Sequence, residues 1–366
     1  MSDISQNNET KQQDKPVLVR VGITQGDTNG VGLELILKTF AENDMYETCI
    51  PVVYGHAKVM SYHRKALNLN TPFKMVKNSG DIQAGQLNFV NCSDEEVKVE
   101  FGKLSAEAGN AAFIALEQAV HDLKEGKIDV LVTAPINKAG IQNANFHFTG
   151  HTEYLHDRVG MPGNEPLMIL CNDMMRVALV TTHLPISEIA FSITQEKIEQ
   201  KVRAFYESLI RDFNVSAPRI AVLALNPHAG DDGVLGHEEK DVIMPAIKAL
   251  SDTGMACYGP FAADGFFGAG LYHHFDGVLA MYHDQGLAPF KALSMDNGIN
   301  FTAGISYIRT SPDHGTAYDI AGKNMANVDS FRRAIFSAID LYRNRGRFDA
   351  AHANPLPKIY QDRKEN

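Results

Sequence analysis

Short apolar runs alternate along the chain with longer segments in which apolar residues recur at helical spacing. Pro16 to Thr24 (PVLVRVGIT) reads as a buried strand, rich in Val and Ile and stopped by Gly26-Asp27. Leu33 to Phe40 has helical character, and Ile50 to Tyr54 is a second short strand. Ala106 to Leu123 puts Ala112, Leu116, Ala119 and Val120 on one helical face. Glu125-Gly126-Lys127 closes that helix, and the strand Asp129 to Thr133 follows. The same rhythm returns later, with strands at Arg176–Thr181, Arg219–Leu225 and Gly277–Met281 and helices at Thr194–Phe213 and Glu238–Leu250. This alternation predicts an α/β protein with a largely parallel sheet and antiparallel additions where strands follow closely.

Ligands of such folds sit at the carboxyl ends of strands, so the residues after each run carry the chemistry. Three of these ends bear a histidine: Thr181-Thr182-His183, Asn226-Pro227-His228 and Tyr282-His283-Asp284. Neighbouring parallel strands lie about 4.8 Å apart, so such side chains can converge. Three neutral imidazoles would hold a divalent ion with positions left open for substrate oxygens, and Asn226 and Asp284 would orient the rings. A strand-end histidine bonded to backbone is the plain alternative for each one. His151 and His314, in Gly-flanked polar turns, are further candidates.

Composition narrows the field. The 366 residues are 44% hydrophobic and 21% charged, enough for a large core and inconsistent with disorder as the main state. A net charge of −10 speaks against nucleic acid or an anionic membrane surface as partner. No apolar stretch reaches 18 residues, so no membrane span is expected. Met1 to Lys15 is polar and lacks the apolar region of a signal peptide; residues 1–16 read as a flexible tail. Four scattered cysteines (Cys49, Cys92, Cys171, Cys257) suit buried thiols in a reducing cytoplasm.

Gly26 to Gly32 follows a strand and precedes a helix, but its G-x-x-x-G-x-G spacing is neither the Rossmann fingerprint nor a Walker A loop. A tight turn and an anion-binding helix N-terminus both fit it. Lys138, Lys291 and Arg309 are cations in Gly- or Pro-bearing segments. Arg309, beside Thr310 and Ser311, would grip a phosphate or carboxylate together with Lys291 and Asn300. No G-x-S-x-G elbow and no strand-end carboxylate pair for glycoside chemistry is present.

Taken in order, these segments resemble the 4-hydroxythreonine-4-phosphate dehydrogenase family of pyridoxal 5'-phosphate biosynthesis. The likeness rests on Ile23–Glu34, Thr133–Lys138, Phe148–Glu153 (FTGHTE), Thr182–Pro185 (THLP), Leu225–Gly230 (LNPHAG), Gly259–Asp264, Met281–Leu287 (MYHDQGL) and Ile308–Ala317 (IRTSPDHGTA), spread over roughly residues 18 to 345. It implies two α/β domains resembling the isocitrate/isopropylmalate dehydrogenase architecture, not a Rossmann fold. The first would comprise 17–140 plus 305–366 and the second 141–304, with a cleft between them. It further implies a homodimer whose active sites use both subunits.

By motif the family's metal ligands fall on His183, His228 and His283, and its substrate contacts on His151, Thr152, Lys291, Asn300 and Arg309. The cofactors implied are NAD and one divalent ion, zinc, cobalt or magnesium. The substrate implied is a small phosphorylated amino acid, 4-phosphooxy-L-threonine. Asp264 and Asp284 are candidates for proton handling or for supporting the ligands. The chain departs from the family pattern at Gln25, at Thr28-Asn29, at His237 and between Lys291 and Asn300. A related dehydrogenase of 4-phospho-D-threonate or 4-phospho-D-erythronate is therefore an alternative reading. A non-catalytic phosphometabolite-binding protein is another.

Overall fold

A computed structural model describes residues 17–77, 79–142, 146–148, 150–160, 165–294 and 297–355; the expected tail, 1–16, lies outside them. The six strands read from the apolar runs are present as β1 (Val19–Thr24), β2 (Cys49–Gly55), β5 (Val130–Thr133), β7 (Arg176–Leu179), β8 (Arg219–Leu223) and β10 (Gly277–Ala280). Six more join them: β3 (Lys74–Val76), β4 (Asn88–Asn91), β6 (Leu167–Cys171), β9 (Ala256–Phe261), β11 (Ile299–Ala303) and β12 (Ile308–Pro312). All form one sheet in the order β3-β4-β2-β1-β5-β12-β11-β6-β7-β10-β8-β9.

β3, β4, β2, β1, β5 and β12 pair in parallel, as do β7, β10, β8 and β9. β11 and β6 stand between the two blocks, and every pairing from β12 to β7 is antiparallel. Three reversals separate the blocks, so they run in opposite directions. This is a large mixed α/β sheet.

Helices cover both faces. Ala106–Lys124 begins where the Ser105 hydroxyl accepts the N–H of Ala108 at 3.0 Å and ends at Gly126, whose φ of +67° suits glycine. Its buried Ala112, Leu116, Ala119 and Val120 are the face expected from spacing, and it packs on β1, β2 and β5. The longest helix, Asp329–His352, lies across β12, β5 and β11 through Phe331, Ala334, Ile335 and Ala338. The helix expected over Glu238–Leu250 is present and continuous: it begins as a wide π turn over Glu239–Ile243 and goes on as an α-helix over Met244–Asp252. No helix among the described residues is long and apolar enough to cross a membrane.

Candidate active site

A cavity of about 380 Å³ opens where β5, β12, β11 and β6 lie side by side. It is lined by His151, Thr152, His183, His283, Lys291, Asn300 and Arg309, together with Lys138 and Glu153. Seven residues proposed from motif thus share one wall.

Arg309, on β12, is 3% exposed. Its Nε and Nη2 donate to the Thr133 hydroxyl at 3.1 and 2.6 Å, and its Nη1 donates to Thr302 at 3.2 Å. These acceptors are neutral, so three of the five guanidinium N–H groups are held without a carboxylate hydrogen-bonded to the charge. Burial pulls Arg309 down to about 10, against the opposing pull of Glu153. A buried cation anchored this way is a receptor for an anion.

The other polar groups complete the receptor. Lys291 donates to the Asp313 carbonyl at 3.1 Å and lies 3.3 Å from its carboxylate. Burial lifts Asp313 above the usual carboxylate range despite Lys291. Nε2 of His151 and Oδ1 of Asn300 are buried without a protein partner, which marks them for a ligand or water. Burial, then Arg309 and Lys138, hold His151 well below the ordinary imidazole value, so it is neutral at pH 7.

β7, β10 and β8 are successive parallel neighbours, so the convergence argument had the right strands. His183, beyond β7, and His283, first residue of the helix after β10, meet with ring centroids 5.9 Å apart. Nδ1 of His283 is 2.7 Å from Asp284. That contact places the proton on Nδ1 and leaves the Nε2 lone pair for a ligand. Nζ of Lys138 lies 3.3 Å from Nε2 of His183, and Glu153 lies 3.9 Å from its Nδ1. Burial, Lys138 and His283 together hold His183 below the usual imidazole range, against Glu153.

His228 does not join them. Within one chain the three imidazoles form no common donor group. The acidic trio His121, Asp122 and Glu125 does gather, but Lys127 occupies it with contacts of 3.1 Å to Asp122 and 2.7 Å to Glu125. Instead His228 lines a second cavity of about 570 Å³ with Asn226, Asp264, Asp284 and Gln285. Its loop turns left-handed at His228, five residues beyond the end of β8, and lies beside Asp284 and Gln285, away from the first cavity. Asp264 is exposed in that second cavity and is not part of the first cavity's lining.

The turn after β1 is a tight turn. Gln25, Asp27, Thr28 and Asn29 are at most 1% exposed, and a Cβ at Gly30 would lie 2.8 Å from the Thr316 carbonyl. No space for a phosphate remains. Sequence reasoning left Glu153 and Thr133 unassigned and gave Lys138 no place in the site. The signal for Lys138 was its position closing a polar strand-end segment.

The profile of the pyridoxal phosphate biosynthetic protein PdxA matches residues 47–338. The chain belongs to the PdxA family. It is 58% identical over 348 residues to a 4-hydroxythreonine-4-phosphate dehydrogenase of Bacteroides thetaiotaomicron, covering 95% of each chain. It is 37% identical to a D-threonate 4-phosphate dehydrogenase of Cupriavidus necator, covering 88% of this chain and 96% of that one. A crystal structure of the 4-hydroxythreonine-4-phosphate dehydrogenase of Klebsiella pneumoniae superposes with a TM-score of 0.77 at 31% identity, covering 89% of this chain and 98% of that one. Of the residues that the resemblance singled out, His228, Asp264 and Asp284 line the second cavity and not the first.

Proposed function

We propose that this chain is an NAD-dependent 4-hydroxythreonine-4-phosphate dehydrogenase that acts as a cytoplasmic homodimer with a divalent ion in each site. The substrate's C3–H leaves as hydride to NAD, and its hydroxyl proton is released as the ketone forms. The C–C bond to the carboxylate then breaks, CO2 departs, and a proton takes its place to give 3-amino-2-oxopropyl phosphate. Membership of the family supports this reading, and one observation carries it: a buried guanidinium held by neutral acceptors shares a cavity with two apposed imidazoles.

The chain's own residues bind and orient. The two N–H groups left on Arg309 form an end-on fork for an oxyanion of the substrate, and Lys291 adds a second positive charge. His151 and Thr152 open a helix facing the same space, where a neutral imidazole and a hydroxyl bond the substrate's polar groups. Asn300 Oδ1 suits the substrate ammonium.

His283 fits a metal, because Asp284 fixes its tautomer and leaves Nε2 free, and His183 fits as its neighbour once Lys138 yields the Nε2 lone pair it now donates to. When bound, a divalent ion supplies Lewis acidity that lowers the pKa of the substrate hydroxyl. His228 fits as a ligand given across a two-fold axis, from the partner subunit's His228. Exposed apolar side chains flank both histidine loops: Ile186 at 83%, Phe191 at 89% and Val234 at 78%, the kind of surface a second copy covers. The division into 17–140 plus 305–366 and 141–304 belongs to the same reading, since both ranges line the cavity.

The deciding measurement is nicotinamide absorbance with purified protein, NAD and 4-phosphooxy-L-threonine, with and without added divalent ion. Metal-dependent NADH formation is expected. Faster turnover of 4-phospho-D-threonate or 4-phospho-D-erythronate would reassign the substrate. No NADH with any of the three would leave a binding protein.

A further inference from the structure

Five consecutive residues, His228 to Asp232, hold left-handed backbone with φ of 52, 52, 77, 42 and 56°. Gly230 is the one glycine among them. The other four carry a Cβ, which disfavours this region. Such a run persists only where its surroundings impose it, and here Glu238, Glu239 and Lys240 hold the loop, Glu239 through the most contacts.

Glu239, 2% exposed, opens the π turn Glu239–Ile243. Its Oε1 accepts the backbone N–H groups of Leu225 and Asn226, both at 2.8 Å. Its Oε2 accepts the Asn226 side-chain amide at 3.0 Å, and Glu238 takes the same amide at 2.7 Å. Oε2 also lies against Gly230, where a Cβ would approach to 2.6 Å. At the far end Lys240 grips Asp232 through its carbonyl at 2.5 Å and its carboxylate at 2.7 Å. π turns of this kind gather at functional sites.

We propose that Glu239 is the positioning residue for His228: by fixing the chain at Leu225–Asn226 and packing on Gly230, it sets the left-handed run that projects His228 out of its own chain. Glu239 lines neither cavity. The proposal rests on the reading of His228 as a metal ligand, and the experiment separates the two.

Full-length apoprotein is titrated with Co²⁺ by visible absorption, and amide hydrogen exchange is followed over residues 225–232. For Glu239→Ala we expect Co²⁺ affinity to fall about 10- to 100-fold, as for loss of a ligand's support, with faster exchange confined to the loop. His228→Ala should lose Co²⁺ affinity and keep the loop's protection. Glu239→Gln, which retains one acceptor oxygen, should restore most of the affinity. Wild-type Co²⁺ affinity in Glu239→Ala overturns the proposal. If that variant does not fold, Glu239→Gln decides: weaker Co²⁺ binding with faster exchange over residues 225–232 supports the role, and unchanged binding overturns it. A wild-type protein that takes up no Co²⁺ overturns the metal reading and this role with it, whatever the exchange data show.

Discussion

The turn after β1, Gln25 to Gly32, and the turn after β8, Asn226 to Gly233, are both glycine-bearing links at strand ends, yet they are built in opposite ways. In the first, every polar group faces inward: Asn29 donates to the Lys103 carbonyl at 2.9 Å and accepts from Glu100 at 2.8 Å. Asp27 takes the Tyr318 hydroxyl at 2.7 Å, and its N–H bonds the Pro135 carbonyl at 2.9 Å. Burial lifts the Asp27 carboxyl above its ordinary range despite these donors. That turn braces the cavity wall from behind. In the second, one buried carboxylate holds the base of the loop while His228 stands exposed at its tip. A glycine pattern therefore tells where the chain turns; the direction its polar groups face tells whether the turn supports or acts.

The sharpest way to break this contrast is His228→Ala. NADH formation should fall by at least about 1,000-fold, the scale of losing a metal's charge stabilisation, while the melting temperature stays near wild type because the side chain is exposed. Full activity after this change and after chelation would remove the metal centre from the mechanism. Arg309→Met comes next. Loss of an oriented, buried cation predicts a fall in kcat/KM of about 100- to 1,000-fold, and inorganic phosphate should cease to compete with substrate. An unchanged inhibition constant for phosphate would move the anion receptor elsewhere.

Asn29→Ala attacks the other turn and should do the reverse. It strands the Lys103 carbonyl and the Glu100 N–H, which predicts a stability loss of about 2–3 kcal/mol, read as a lower urea midpoint. KM for the phosphorylated substrate should not move. A raised KM at unchanged stability would restore the anion-binding reading of the first turn.

Much of this arrangement was written in the chain locally. The strands β5, β7, β8 and β10 are runs of Val, Ile, Leu and Ala, and their period and stop signals mark them without reference to tertiary context. β6 and β11 were not marked: β11 (INFTA) interrupts its apolar positions with Asn300 and Thr302, and Met168 and Asn300 face the cavity instead of the core. The anion-facing residues were legible through long motifs. The departure of His228 was not, since its direction depends on four non-glycine residues in left-handed backbone, a state held by Glu238, Glu239 and Lys240 further along the chain. Local propensity assigns Ala229 or Asp231 no such conformation. Glu153 and Thr133 were missed for a similar reason: what matters at each is its approach to His183 or Arg309 from a distant segment.

The smallest expected effect probes the inward-facing turn through His63. This ring is fully buried, its Nε2 lies 2.8 Å from the Thr28 carbonyl, and it meets Phe101 edge-on at 4.8 Å. Burial pushes it down to about 4 against the hydrogen bond to Thr28. In the unfolded chain it titrates near 6.5. Above pH 6.5 the ring is neutral in both states and its contribution is constant. As pH falls from 6.5 towards 4, the unfolded chain takes up a proton that the native chain refuses, so stability declines by up to about 1.4 kcal/mol per pH unit for this group. His63→Gln keeps a donor for Thr28 and removes the titration. Urea midpoints measured from pH 7 to 4.5 should then fall less steeply than in wild type, by about one proton in the linkage slope. Other buried histidines, including His56 and His314, are also shifted down and steepen both curves alike, so the difference between the two proteins isolates His63. Parallel curves would mean that the turn opens to water on the timescale of titration, and the contrast with the His228 loop would lose its inward half.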